Sequence, residues 1–190
     1  MPLEYILNNL KRELIRTFAV VDEWFDKELS LCNYTPVDQK WTVYEVLEHI
    51  MLANQSLLII IDDGTVKALQ KEDVLNAQRE LPTNYLLGNE ALLAVADPHA
   101  FTWQHHEDHQ PHGERKPHEI RRELRDQLEQ CLITLELLPN GEGLLHQANI
   151  PVTTIGALDV YQCLYFLALH AQRHLRQMEK IQEAFRYLSV

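Results

Sequence analysis

Two histidines, His170 and His174, stand four residues apart in the stretch LALHAQRHLRQMEKI, which runs from Leu167 to Ile181. The stretch holds no Gly and no Pro and many strong helix formers, so its composition predicts a helix. On a helix, residues four apart lie one turn apart on the same face. At about 100° per residue, Val160, Cys163, Phe166, Leu167, Met178, Ile181 and Phe185 share an arc of roughly 120° with the two histidines. Arg173, Arg176, Glu179, Lys180, Glu183 and Arg186 fall outside that arc. Both imidazoles therefore point where apolar side chains point. A lone buried histidine reads as a hydrogen-bonded core residue with two ring nitrogens to satisfy. A pair at this spacing can instead meet at one metal ion, as on the H-E-x-x-H helices of metalloproteases. The glutamate of that motif is absent, because Ala171, Gln172 and Arg173 stand between the histidines, so the protease pattern is excluded.

A third ligand has to come from a facing helix, and His49 is the residue that fits. Thr42, Val46, Ala53, Ser56 and Ile60 share its side of a second helix, and the small Ala53 and Ser56 leave room beside an imidazole. Three neutral imidazoles with one open position form an arrangement used by catalytic zinc and similar divalent ions. An ion held this way lowers the pKa of a bound water or thiol and polarises oxygen groups.

Other residues admit two readings each. Glu45 lies one turn before His49 and is either a general base or ligand-orienting partner, or simply a helix-capping residue. Gln177 lies in the core arc beside His174, either orienting a ligand or standing as a buried amide. Arg173 points away from the core, toward solvent or toward an anionic substrate at the mouth. Cys163 lies about 10 Å along the helix from His170, which favours packing over ligation, and Tyr161 and Tyr165 read as packing residues. In HHEDHQPHGERKPH, His105, His106, His109, His112 and His118 crowd together with Glu107 and Asp108. No periodic scaffold fixes them, so the stretch reads as a solvated loop able to bind metal adventitiously; the alternative is a second metal site. His99 and His146 have no partner pattern.

The elements that must position these groups are helical. Leu3, Ile6, Leu7, Leu10, Leu14, Val21, Trp24 and Phe25 recur at helical spacing, predicting a first helix over about residues 2–31. A second starts at WTVYEVLEHI, where Thr42 and Glu45 form a capping box and Trp41 with Val46 a hydrophobic staple. It is expected to stop near Ile61, at DDG. Between 63 and 117, TVKALQKEDVLNAQREL and NYLLGNEALLAVAD read as short helical pieces, followed by the histidine-rich loop. Pro117 suits the first turn of a third long helix over about 118–137, ended by PNGEG. LLHQANIPVTTIG reads as an irregular or short extended connection, and a fourth helix is expected from about Gly156 to Leu188. The expectation is an all-α four-helix bundle in one domain, 1–190, with a long crossover carrying short helices between helices two and three.

KWTVYEVLEHI resembles the DinB/YfiT-like pattern, in which a Trp-Ser/Thr start leads to a ligand histidine on the second helix. NIPVTTIGALDVYQCLYFLALHAQRHLRQMEKI resembles the ending of the same family: a proline-containing turn, a glycine-containing helix start, two histidines four apart and a glutamine three later. Agreement is best over 40–62 and 149–182 and weakest over 63–117, a region longer than usual. The resemblance implies a metal-binding four-helix bundle with ligands at His49, His170 and His174, a divalent ion such as zinc or nickel, and a homodimer. It also implies chemistry with a low-molecular-weight thiol, since characterised relatives include bacillithiol S-transferases and a mycothiol-dependent maleylpyruvate isomerase. The function expected first is thus a transferase or isomerase that uses a metal-activated thiolate on a small-molecule substrate. A hydrolase with metal-activated water, and a non-enzymatic stress-related module with a structural metal, are the alternatives.

Composition bounds the rest. The chain has 190 residues, 46% of them hydrophobic and 24% charged, and a formal net charge of −11. An acidic chain is a poor general binder of phosphate backbones and anionic membranes, so neither nucleic acid nor membrane is an expected partner. The start, MPLEYILNNLKREL, has no apolar core segment, and the longest apolar run, Leu57 to Ile61, is too short to span a bilayer. Cys32, Cys131 and Cys163 are widely spaced and form no C-x-x-C. A reduced, cytoplasmic setting is expected, with the cysteines as small core residues.

Overall fold

The computed structural model describes residues 2–71, 85, 87–100, 109–150 and 155–187. Helix α1 spans Leu3–Glu23 and buries Ile6, Leu10, Leu14, Thr17, Phe18 and Val21, the three-and-four spacing of an amphipathic stripe. The expected run to residue 31 is broken: a 3₁₀ turn, Trp24–Asp26, ends at an extended Lys27, and the short α2, Leu29–Cys32, follows. No Gly or Pro causes the break. It turns Leu31 and Cys32 inward beside Trp24, all three buried, so packing overrides helix propensity there.

Helix α3, Val43–Leu69, starts as expected. The Thr42 hydroxyl accepts from the Glu45 N–H at 3.2 Å, and the Glu45 carboxylate accepts from the Thr42 N–H at 2.7 Å. It does not stop at DDG but runs on to Leu69. Gly64 serves close packing there: a Cβ on it would come within 3.2 Å of Val160 and 3.3 Å of His146. Residues 65–69 of the first expected helical piece thus belong to α3, and 72–81 lie outside the described residues. In the crossover, Asn89 caps the short α4, Glu90–Leu93, and a 3₁₀ turn, Ala94–Ala96, follows.

Helix α5, Pro117–Leu137, carries its proline in the first turn, as the sequence indicates. A 3₁₀ turn, Glu142–Leu145, leads into β1, Gln147–Asn149, which pairs antiparallel with β2, Ala157–Asp159, with Ala148 opposite Leu158. Because 157–159 forms this strand, helix α6 begins at Val160 rather than near Gly156, and runs to Tyr187. Asp159 and Gln162 cap its start reciprocally: the Asp159 carboxylate accepts from the Gln162 N–H at 2.9 Å, and the Gln162 amide oxygen accepts from the Asp159 N–H at 3.2 Å.

The four long helices form a bundle in which α1 and α3 each pack against both α5 and α6. Leu10, Leu14, Leu47, Ile50, Met51, Leu164, Leu167 and Met178 are fully buried between them. Arg121 and Arg125 of α5 bind Asp22 and Arg121 also binds Asp26, tying α5 to α1 and to the turn that follows it. Helix α3 is long and apolar enough to cross a membrane by length and composition, but 61% of that window is buried in the bundle, the signature of a core helix.

The described parts of the crossover lie against the bundle. Tyr85 donates to the Asp159 carboxylate at 3.0 Å. Arg176 donates to the Ala96 carbonyl at 2.9 Å, and Arg173 to the carbonyls of Asp97 and Pro98. These bonds lay the segment along α6 up to the level of its histidines.

Candidate metal centre

Helix periodicity alone puts His170 and His174 on the inner face of α6, and α3 brings His49 opposite them. All three are buried, with ligand nitrogens within 4.8 Å of one another. The Nε2 atoms of His170 and His174 stand 3.1 Å apart. Two imidazole nitrogens bound tetrahedrally at zinc distances lie about 3.3 Å apart, so this pair already has the spacing of two donors on one ion. The His49 ring centroid is 5.3 Å from that of His170 and 4.6 Å from that of His174.

The outer nitrogens set the tautomers. A carbonyl oxygen carries no proton, so the 2.7 Å contact between His49 Nδ1 and the His109 carbonyl oxygen requires the proton on Nδ1. The neutral ring then keeps its Nε2 lone pair for a ligand. His174 Nδ1 likewise donates to the Gln177 amide oxygen at 2.9 Å. This arrangement, an outer N–H held by a carbonyl while the inner nitrogen faces the ion, is the usual support of a metal-bound imidazole. Burial, with the neighbouring His174 and His49 adding to it, holds the pKa of His170 well below its ordinary value. His170 is thus neutral at physiological pH, the form that ligates. The donor set fits a divalent ion, and among the described residues no fourth histidine, cysteine or carboxylate joins the group.

Aromatic walls flank the group. The Trp41 ring lies 4.9 Å from His49, so the residue expected as a staple on Val46 also packs on a histidine of the cluster. Phe166 stacks on His170 at 6.2 Å and 13°. Each of the three histidines keeps 6% of its surface exposed, whereas Leu167 and Ala171 on the same helix keep none.

The remaining site expectations divide. Glu45 is held in the capping box, so its capping reading stands. Gln177, half-buried, lies with its amide oxygen 2.9 Å from His174 Nδ1. Arg173 is half-buried and donates to the crossover carbonyls of Asp97 and Pro98. The Cys163 thiol faces the Leu158 carbonyl at 3.8 Å, and burial pushes its pKa up to about 12. His99, His112 and His118 are exposed; His105, His106, Glu107 and Asp108 lie outside the described residues. The sequence groups His109 with the loop histidines and does not join it to His49, as the structure does. The His109 carbonyl holds His49, and its ring Nε2 lies 2.7 Å from the Ser56 hydroxyl, filling the room that the small Ser56 leaves. Glu48, which the sequence does not single out, is buried and accepts from the Gly113 N–H at 2.9 Å. A main-chain acceptor has no sequence signature, so only the surplus of histidines in that stretch pointed toward it.

Fold and site together define a helical-bundle protein with a three-histidine group able to hold a metal ion. The chain belongs to the DinB superfamily, whose family model matches residues 10–178. No curated protein and no solved structure matches it significantly.

Proposed function

We propose that this protein is a divalent-metal-dependent enzyme that activates a small thiol at His49, His170 and His174 and uses it in group transfer or isomerisation of a small electrophile. The observation that carries the reading is the pair of buried Nε2 atoms 3.1 Å apart, faced by His49. A divalent ion such as zinc or nickel, when bound there, favours the thiolate of a coordinated thiol and polarises oxygen groups. The chain's own residues do the rest. The three imidazoles offer lone pairs, while Gln177 and the His109 carbonyl hold the outer protons of His174 and His49. Trp41 and Phe166 wall the group. The chain supplies no sulfur nucleophile of its own: Cys32, Cys131 and Cys163 are all buried and free, and burial raises the pKa of each. The reacting sulfur therefore arrives as a substrate. The proposal includes a homodimer in the cytoplasm, its assembly state checked by light scattering.

Plasma mass spectrometry on tag-free protein tests the metal. Wild type and a His105→Ala/His106→Ala/His112→Ala variant are expected to carry about one equivalent, and His170→Ala/His174→Ala none. His109 is left intact in the loop variant because it contacts His49. A double variant that keeps its metal while the loop variant loses it overturns the reading. The metal-loaded protein is then expected to consume thiol with a chloronitroaromatic electrophile, the sulfur–carbon bond forming as the carbon–chlorine bond breaks, chloride leaving and the thiol proton passing to solvent. Ester hydrolysis without thiol would instead assign the site to water activation.

A further inference from the structure

The crossover meets α3 through three contacts within five residues. The His109 carbonyl accepts from His49 Nδ1 at 2.7 Å, the His109 ring bonds Ser56 at 2.7 Å, and the Gly113 N–H donates to Glu48 at 2.9 Å. His49 and Ser56 are two turns apart on one side of α3, and Glu48 is adjacent to His49. Gly113 has φ +68, a backbone conformation that a side chain strains, so the turn bringing its N–H to Glu48 is built for glycine.

We propose that the segment 109–113 is a working part of the metal centre, in which His109 positions His49 as a ligand and Ser56 and Glu48 hold His109 in place. The inference rests on the metal reading above and adds a consequence that reading does not contain. A carbonyl on Nδ1 does two things for His49. It excludes the tautomer whose inner nitrogen carries the proton, and it sets the ring's rotation about its side chain. His174 has the same service from Gln177, three residues along its own helix, where helix geometry fixes the partner. His49 has its service from a residue sixty positions away, across the crossover. Metal affinity and docking of the crossover are therefore linked, and linkage is reciprocal: whatever holds 109–113 on α3 tightens the metal, and the metal tightens the hold by the same factor. This separates the two halves of the centre. The α6 half is preformed by one helix, whereas the α3 half is completed only when the crossover is docked. Displacing 109–113 from α3 would loosen His49 first.

The test uses full-length protein carrying His105→Ala, His106→Ala and His112→Ala, so that loop histidines do not add to metal uptake. Zinc affinity is measured by chelator competition in this background and with His109→Ala, Ser56→Ala or Ser56→Thr added. Substitution of groups bonded to metal ligands costs roughly 10–100-fold in affinity; the His109 ring and Ser56 act one step further out through the His109 carbonyl, so the low end, about tenfold, applies. That loss is expected for His109→Ala and Ser56→Ala, with recovery in Ser56→Thr, which restores the hydroxyl. The visible ligand-field band of the cobalt-loaded protein should shift in the two alanine variants, while the melting temperature of the metal-free protein stays put. Zinc should also slow hydrogen exchange at the Gly113 amide in the parent. If the parent binds one zinc and all variants match it in affinity and spectrum, the positioning role is wrong and the metal site stands. If the parent binds no zinc, the metal reading itself fails, and this inference with it.

Discussion

Three imidazoles in a helical core are a stability liability unless something uses them. Each buried polar group must be hydrogen-bonded or it costs free energy, and burial has already driven His170 away from its charged form. A purely structural cluster would be held together by its own hydrogen bonds, and breaking one would unfold the bundle. In a metal centre the contact between the His170 and His174 Nε2 atoms, a hydrogen bond at 3.1 Å, is incidental to the fold, and its loss is tolerated. His170→Leu keeps the side chain's approximate volume and removes one of those nitrogens. In chelator it is expected to stabilise the protein by about 1 kcal/mol, the usual return for giving up a functional polar group, while metal binding is lost. Urea denaturation of both proteins in chelator measures this. A drop in stability instead would mean that the imidazoles are there for the fold. At this scale the sequence was informative where helix geometry fixes neighbours: His170, His174 and Gln177 follow from spacing alone. It was uninformative for Arg173, because which carbonyl a long side chain reaches depends on where the crossover runs.

Among the elements, local signals were legible and packing-driven ones were not. The capping box at Thr42 and Glu45, and Pro117 at the head of α5, could be read because both satisfy backbone groups within one turn. The end of α3 is not legible in the sequence, because Gly64 in DDG has the look of a breaker, whereas it serves the close approach of Val160. The break after α1 carries no local signal at all. The start of α6 had one that passed unnoticed, the Asp159–Gln162 pair, and its environment makes a measurable consequence. Burial raises the Asp159 pKa to about 6, only partly offset by the Gln162 N–H and the Tyr85 hydroxyl. Burial pushes nearby Tyr85, Tyr161 and Cys163 upward too, and among the described residues no cation is a cause of the Asp159 shift. A carboxyl near 3.9 in the unfolded chain and about 6 in the folded one binds more protons when folded. Its contribution is therefore fully present below about pH 4 and is lost as pH rises through 6. Asp159→Asn keeps a cap acceptor and a partner for Tyr85 but cannot ionise. The variant should match wild type near pH 3.5 and exceed it by about 3 kcal/mol at pH 8, read as the difference between two urea curves at each pH. A difference that does not change with pH would mean that Asp159 is not buried as a charge.

For the whole molecule, the decisive relation is between a bundle and the strap laid across it. The four long helices share one apolar interior. The crossover is anchored near its middle by buried Leu92, Val95 and Ala96 and by bonds from Tyr85 to Asp159, Arg176 to Ala96 and Arg173 to Asp97 and Pro98, whereas its end is held on α3 by polar bonds from His109 to His49 and Ser56 and from Gly113 to Glu48. Segments held by few bonds open at lower free energy than the core they rest on. Local opening of the crossover should thus precede unfolding, and exposed Arg115 at its end offers trypsin a place to report it. Arg176→Ala removes one clamp without touching the bundle interior. It is expected to speed cleavage after Arg115 several-fold while the melting temperature of the bundle moves little. Metal should act in the other direction. Anything that binds only the folded form stabilises it by about 2.7 kcal/mol at a hundredfold excess over its dissociation constant. If that ion also fixes His49 to the His109 carbonyl, part of the gain falls on the crossover, and cleavage after Arg115 slows with zinc. In His170→Ala/His174→Ala, zinc should change neither the melting temperature nor the cleavage. Cleavage that responds to Arg176→Ala but not to zinc would leave the strap a mechanical cover; cleavage that responds to both makes it the moving half of the metal centre.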